Sequence, residues 1–234
     1  MKRTPVVGLI AILSLATVAL FVPAAAAAER FEGCSVMIGM SQVRNAFHGA
    51  YNGLTAADKA SFNQHWFLHW YPGQVLGGWA DPNNLGWTSP RFDLGTTRVA
   101  LTSTCQSPTH ASFGFDPQSG ARSFDEALDA VVANAKAEYP TLGTMDVWLL
   151  VGDENHARCD LAGRWVRAAD LHNSYYSMWQ GYAPSPRVIA GVTVTLGPDL
   201  HVACPTGWRD SKGHLSTTGQ AVAGASWLAF QEAS

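Results

Sequence analysis

Asp210 and His214 share one stretch, WRDSKGHLSTTGQAVAGASW, residues 208–227. Ser, Lys and Gly around them read as an exposed loop. Leu215, Ala221, Ala225 and Leu228 then recur at helical spacing, and Ser216 or Thr217 can cap that helix. The histidine is thus held just ahead of a rigid element, with an acid a few residues away. A general base needs an imidazole kept in place and a carboxylate that fixes its tautomer. A second feature lies near the start of the chain. Ser41 follows the apolar run Ser35-Val36-Met37-Ile38-Gly39 and precedes Val43, Ala46, Phe47, Ala50 and Tyr51, again at helical spacing. A serine where a strand passes into a helix meets unpaired N–H groups and the positive end of the dipole, a setting that suits a nucleophile. The plain alternative for Ser41 is a helix N-cap, and for His214 a solvated loop histidine.

These residues need elements to position them. The run at 35–39 reads as a buried strand and the segment after it as a helix. Thr55-Ala56-Ala57-Asp58 predicts a capping box that opens a helix to about Trp70. His65 and His69 would lie one turn apart on it, as packing or surface residues. Gln74 to Trp79 reads as a brief strand carrying Gly77-Gly78, and Asp81 to Gly95 as a long loop. Arg98 to Thr104 is β-rich, and Ser107 to Arg122 reads as a loop. Ser123 to Glu126 predicts a second capping box, followed by a helix to Tyr139 that Pro140 stops. Met145 to Val151, MDVWLLV, reads as a central strand, with Gly152-Asp153-Glu154-Asn155-His156 leaving its end. Leu161 to Gly181 reads as a helix and Arg187 to Leu196 as the last strong strand.

This alternation predicts an α/β fold: a three-layer α/β/α sandwich around a mainly parallel sheet. Right-handed crossovers gather the carboxyl ends of such strands along one edge, where ligands bind. Ser41, Gly77-Gly78, Asp153 to His156 and Asp210/His214 all follow strands, so they should converge there.

Composition narrows the function classes. The formal charge is −3, charged residues make up 14%, and the chain carries no basic run beyond its start, which argues against nucleic acid as a partner. Lys2 and Arg3, the apolar stretch Pro5 to Val22 and the alanines up to Ala28 read as a secretory signal peptide cleaved near Ala26 or Ala28. Residues 29–234 then form one domain with no further span. Four cysteines (Cys34, Cys105, Cys159 and Cys204) in an exported chain suggest two disulfides with three possible connectivities. They lack the spacing of a zinc site, and neither metal nor cofactor is expected. Nine tryptophans, several in Gly/Pro/Asn-rich loops, could stack on sugar rings or hold acyl chains, though at least half should pack the core.

The order of these blocks resembles the SGNH (GDSL-type) hydrolases over nearly the whole mature chain. Gly39-Met40-Ser41 is similar to the block holding the nucleophile, Gly77 or Gly78 to the second-block glycine, Gly152-Asp153-Glu154-Asn155 to the GxND block, and Asp210 to His214 to the last block. Met40 stands where the family has Asp, Asn155 falls one position late, and three residues rather than two separate Asp210 from His214. The resemblance implies a flavodoxin-like α/β/α sheet and acyl transfer to water. Ser41 would be the nucleophile, His214 the base and Asp210 its orienting acid. Ser41, Gly78 and Asn155 would supply the oxyanion hole. It further implies the pairs Cys34–Cys105 and Cys159–Cys204, the second pinning the loops that carry Asn155 and His214. The expected protein is a secreted, monomeric serine esterase acting on a small-molecule or glycan ester. The other reading is a secreted glycan- or lipid-binding domain that keeps the fold without catalysis.

Overall fold

The computed structural model describes residues 30–100, 105–115, 123–149, 169–200 and 214–234, with side chains omitted for 169–175. Among these residues eight strands form one sheet: β1 Ser35–Gly39, β2 Trp66–Trp70, β3 Arg91–Leu94, β4 Thr97–Val99, β5 His110–Phe115, β6 Thr144–Leu149, β7 Arg187–Ile189 and β8 Val192–Leu196. Their order is β4-β3-β2-β1-β5-β6-β8-β7. The five inner strands are parallel, while β3, β4 and β7 join the two edges antiparallel. The helices are α1 Ser41–Gly53, α2 Ala56–His65, α3 Leu76–Trp79, α4 Leu85–Thr88, α5 Phe124–Glu138, α6 Ala169–Tyr182 and α7 Thr217–Ala233. The α/β class and the mainly parallel inner sheet agree with the sequence pattern.

All five residues of β1 and of β2 are buried, as expected for parallel strands packed on both faces. Val36 and Ile38 enter one apolar cluster with Leu128 and Val131 of α5. Met37 enters another with Phe47 of α1 and Trp227 of α7. Successive residues of a strand point to opposite faces, which explains the split. The caps follow the sequence. Ser123 and Glu126 complete a reciprocal box, Thr55 accepts from the Asp58 N–H, and Ser216 accepts from the Gly219 N–H. Cys34 and Cys105 are bridged. Cys159 and Cys204 lie outside the described residues.

Several expectations are corrected. The helix opened by Thr55 stops at His65, and WFLHW is strand β2. Bulky aromatics lose side-chain freedom in a helix and suit a pleated surface, and here they complete a parallel pair with β1. His65 and His69 therefore do not share a helix face. The Gln74–Trp79 strand is the short helix α3, and the loop from Asp81 to Gly95 contains α4 and β3. The supposed loop from Ser107 to Arg122 contains the inner strand β5. In HASFGF the Ser and Gly between apolar residues had masked its alternation. Arg187 to Leu196 is a hairpin, folded at Ala190 and Gly191, whose φ of 49° and 80° match the primed turns that tight hairpins favour.

His69 gives the fold an acid-sensitive point. It is fully buried on β2, its Nδ1 2.6 Å from the Tyr139 hydroxyl and its Nε2 2.7 Å from Gly86 O. Nε2 therefore donates to the carbonyl, and Nδ1 accepts from the phenol. Burial lowers its pKa to about 4, against a small upward pull from the Gly86 bond. The unfolded chain takes up this proton near its ordinary value of about 6.5, and the folded chain resists until about 4. The stabilising contribution is therefore complete above the ordinary pKa and is lost as pH falls between the two. It amounts to about 3 kcal/mol. Urea titrations across this window should show that loss, and His69→Phe should flatten the slope while lowering stability at every pH. A wild-type slope unchanged by the substitution contradicts the assignment.

Candidate active site

Taken alone, the parallel strands in chain order lie 2-1-3-4-5 across the sheet. From β1 the chain passes to β2 on one side and later to β5 on the other. The connections therefore diverge at the β1/β5 boundary, and in open α/β sheets such a switch point, beyond the carboxyl ends of the strands, is where ligands bind. Ser41 stands at that end of β1. Gly39 makes the turn possible: a Cβ there would lie 2.4 Å from Val43 Cγ2 and 2.6 Å from Gly114 O of β5. The Tyr71 N–H donates to Gly39 O at 3.1 Å, which extends the β1–β2 ladder. Met40 takes the N-cap position in an extended conformation and makes no side-chain cap. Ser41 is thus the first helical residue and not the cap, at the end of α1 where N–H groups lack partners within the helix.

His214 precedes α7 by two residues and the buried Leu215. The Leu215 N–H donates to Gln42 Oε1 at 3.1 Å, and Leu215 O accepts from Gln220 Nε2 at 3.0 Å. Gln42 has no exposed surface and directly follows Ser41 in the chain. One side chain therefore ties the segment carrying the serine to the segment carrying the histidine. A buried amide without such partners would cost about 1–3 kcal/mol, so the bond is enforced by burial.

Below this point α1 and α7 pack almost backbone to backbone. A Cβ on Gly49 would lie 1.8 Å from Gln220 O, and one on Gly224 would lie 2.1 Å from the Ala50 nitrogen. Gly49→Ala must push the helices apart. The expected cost is about 2–3 kcal/mol, with a fall in any activity that needs Ser41 and His214 together. Denaturant unfolding alongside turnover measures both, and a neutral substitution contradicts the close contact.

A polar cluster missed in the sequence braces α1 from the other side. Asp93 of β3 is fully buried, accepts from Arg44 Nε at 2.7 Å and Trp70 Nε1 at 3.0 Å, and lies 3.1 Å from His48 Nε2. Burial pushes its carboxyl up, but the bonds from His48, Arg44 and Trp70 outweigh this and leave it below the ordinary value. The Arg44 guanidinium also rests on the Trp70 ring, 4.7 Å from its centroid. Asp93 carried no sequence signal, because its strand read as loop. Gln42 carried none either, since a glutamine in a helix ordinarily faces water.

Gly77 and Gly78 do follow β2, but within α3. The Gly78 N–H donates to Val75 O at 2.9 Å, and as an oxyanion donor it would have to give up that bond. Asn155, Asp153, Glu154, His156 and Asp210 lie outside the described residues, on segments that follow β6 and β8 in the chain. Among the described residues no group of three His, Cys, Asp or Glu could hold a metal ion, and no helix is long and apolar enough to cross a membrane. The chain matches no family model, no curated protein and no solved structure.

Proposed function

We propose that the chain is a secreted serine esterase of SGNH type, built as a three-layer α/β/α sandwich over residues 29–234 behind a signal peptide at 1–28. The observation that carries this reading is the Gln42–Leu215 hydrogen bond, which joins the Ser41 and His214 segments at the switch point of the sheet. In the proposed reaction the Ser41 hydroxyl attacks an ester carbonyl carbon while His214 takes its proton. The tetrahedral intermediate collapses, the C–O bond to the alcohol breaks, and His214 hands the proton to the leaving oxygen. Water then attacks the acyl-enzyme by the same route and releases the acid. Asp210 orients the imidazole. The oxyanion meets the Ser41 N–H, the Asn155 amide and the Gly78 N–H. No cofactor takes part, and the protein works as a monomer. The Cys34–Cys105 bridge fits an oxidising compartment.

All seven tryptophans among the described residues are buried, so they do not choose between carbohydrate and lipid esters. A second reading, a glycan- or lipid-binding domain without catalysis, draws support from the Gly78 N–H, which is already taken by Val75 O. The two are separated by assaying the full chain against p-nitrophenyl acetate and an O-acetylated xylose. The esterase reading expects saturable acid release from at least one of them. Rates equal to the buffer blank with both would leave the binding domain.

A further inference from the structure

The amino ends of the parallel strands, at the far side of the sheet from Ser41, hold a second polar construction. Trp66, Ser35, His110, Thr144 and Thr193 are register partners across β2, β1, β5, β6 and β8, so they form one row on one face. The next row on that face contains Ser112 and Asp146. Asp146 is only 2% exposed, accepts from Ser112 Oγ at 2.7 Å and Gln231 Nε2 at 3.0 Å, and pairs with His110 Nε2 at 3.0 Å. Ser112 Oγ in turn accepts from the indole N–H groups of Trp148 and Trp227, at 3.0 and 2.8 Å. Burying a carboxylate is costly unless its oxygens are satisfied, and here three side chains satisfy them.

What this network holds at its outer end is His110. Its Nε2 faces two acceptors, Asp146 Oδ1 and Gln231 Oε1 at 3.2 Å, so that nitrogen carries the proton. Nδ1 is left to accept from the Thr144 hydroxyl at 3.0 Å. Thr144 and His110 line a cavity of about 360 Å³ together with Thr193, Thr195, Gln231 and the edge of Trp66. Arg30, at its rim, is already paired with Asp58 and Glu232. The wall therefore combines the apolar surface of Phe31, Met145 and Trp66 with hydroxyl, amide and imidazole groups in fixed orientations and a neutralised cation. An anion would meet the rim carboxylate of Glu32, with Arg30 already committed to Asp58 and Glu232. An acyl chain would leave the Thr193 and Thr195 hydroxyls without partners, although that of Thr144 is held by His110. A ligand hydroxyl, able both to donate and to accept, can bond the Thr193 and Thr195 hydroxyls without breaking the network around His110. The volume also falls at the small end of ligand pockets, about 300–1,000 Å³.

We propose that this cavity is a binding site for a neutral, polyhydroxylated small molecule of monosaccharide size. Six residue steps of extended chain lead from Ser35 to Ser41, about 20 Å, and the site does not depend on the esterase reading. The test is a titration of the full chain with D-glucose, D-galactose and N-acetyl-D-glucosamine, followed by the His110 ring signals and the Thr144 and Thr193 methyl signals in heteronuclear NMR spectra. At least one sugar should shift them saturably. Thr193→Val, which keeps the shape and removes the hydroxyl, should weaken that binding ~10-fold, as should Thr144→Val, while Ser41→Ala binds as wild type. No saturable shift from any of the three sugars overturns the proposal. So does equal binding by both valine variants, or stronger binding by glucuronate or glucosamine than by the neutral sugars.

Discussion

Ser41→Ala is expected to lower kcat/KM for p-nitrophenyl acetate about 10³–10⁵-fold while leaving the far-ultraviolet circular dichroism and the unfolding midpoint near wild type. Met40, not Ser41, holds the N-cap position, so the Ser41 hydroxyl is not needed to cap α1. His214→Ala should fall by a similar factor, because an unactivated serine hydroxyl is a poor nucleophile at neutral pH. The two losses should not add: residues that act as one unit cost about as much singly as together. A double variant far slower than either single variant would mean that Ser41 and His214 act separately. A Ser41→Ala enzyme within tenfold of wild type would mean that the hydrolysis happens elsewhere.

The second large effect is on stability. The Cys34–Cys105 bridge spans 71 positions and encloses β1 to β4 and α1 to α4, the part of the chain that builds the Ser41 side of the site. Opening a loop of that length restores chain entropy worth about 4 kcal/mol to the unfolded state. The paired substitution Cys34→Ser and Cys105→Ser should lower the unfolding free energy by that amount, and the melting midpoint by roughly 10 °C. Guanidinium titration under non-reducing conditions isolates this bridge. A cost below about 1 kcal/mol would indicate a denatured state already compact around the same segments.

The parts legible in the sequence were those with uninterrupted local signals. SVMIG followed by helical spacing located β1, Ser41 and α1, and MDVWLLV located β6. The caps at Thr55 and Ser123 were legible because a cap needs only its own first turn, and the last cap was narrowed to Ser216 or Thr217, of which the structure uses Ser216. What failed depended on tertiary partners. WFLHW follows a well-capped helix with no glycine or proline to stop it, and only its pairing with β1 and β3 makes it a strand. HASFGF looked like loop because small residues sit where Trp148 and Val43 press against Gly114. Asp146 disappeared inside an apolar run, although it anchors the most connected polar network among the described residues. Gln42 is the clearest case: a helix glutamine acquires its meaning only when α7 arrives and Leu215 presents its N–H. The residue types able to do chemistry could be named from the sequence, but the side chain that joins them could not.

The central claim is that Ser41 is an activated nucleophile with His214 as its base. The most direct measurement is labelling of the folded, disulfide-intact protein with a serine-reactive fluorophosphonate, followed by peptide mapping. The account predicts a single label on Ser41 that is lost in His214→Ala. A folded protein that takes no label, or a label on another serine that His214→Ala leaves in place, would contradict it.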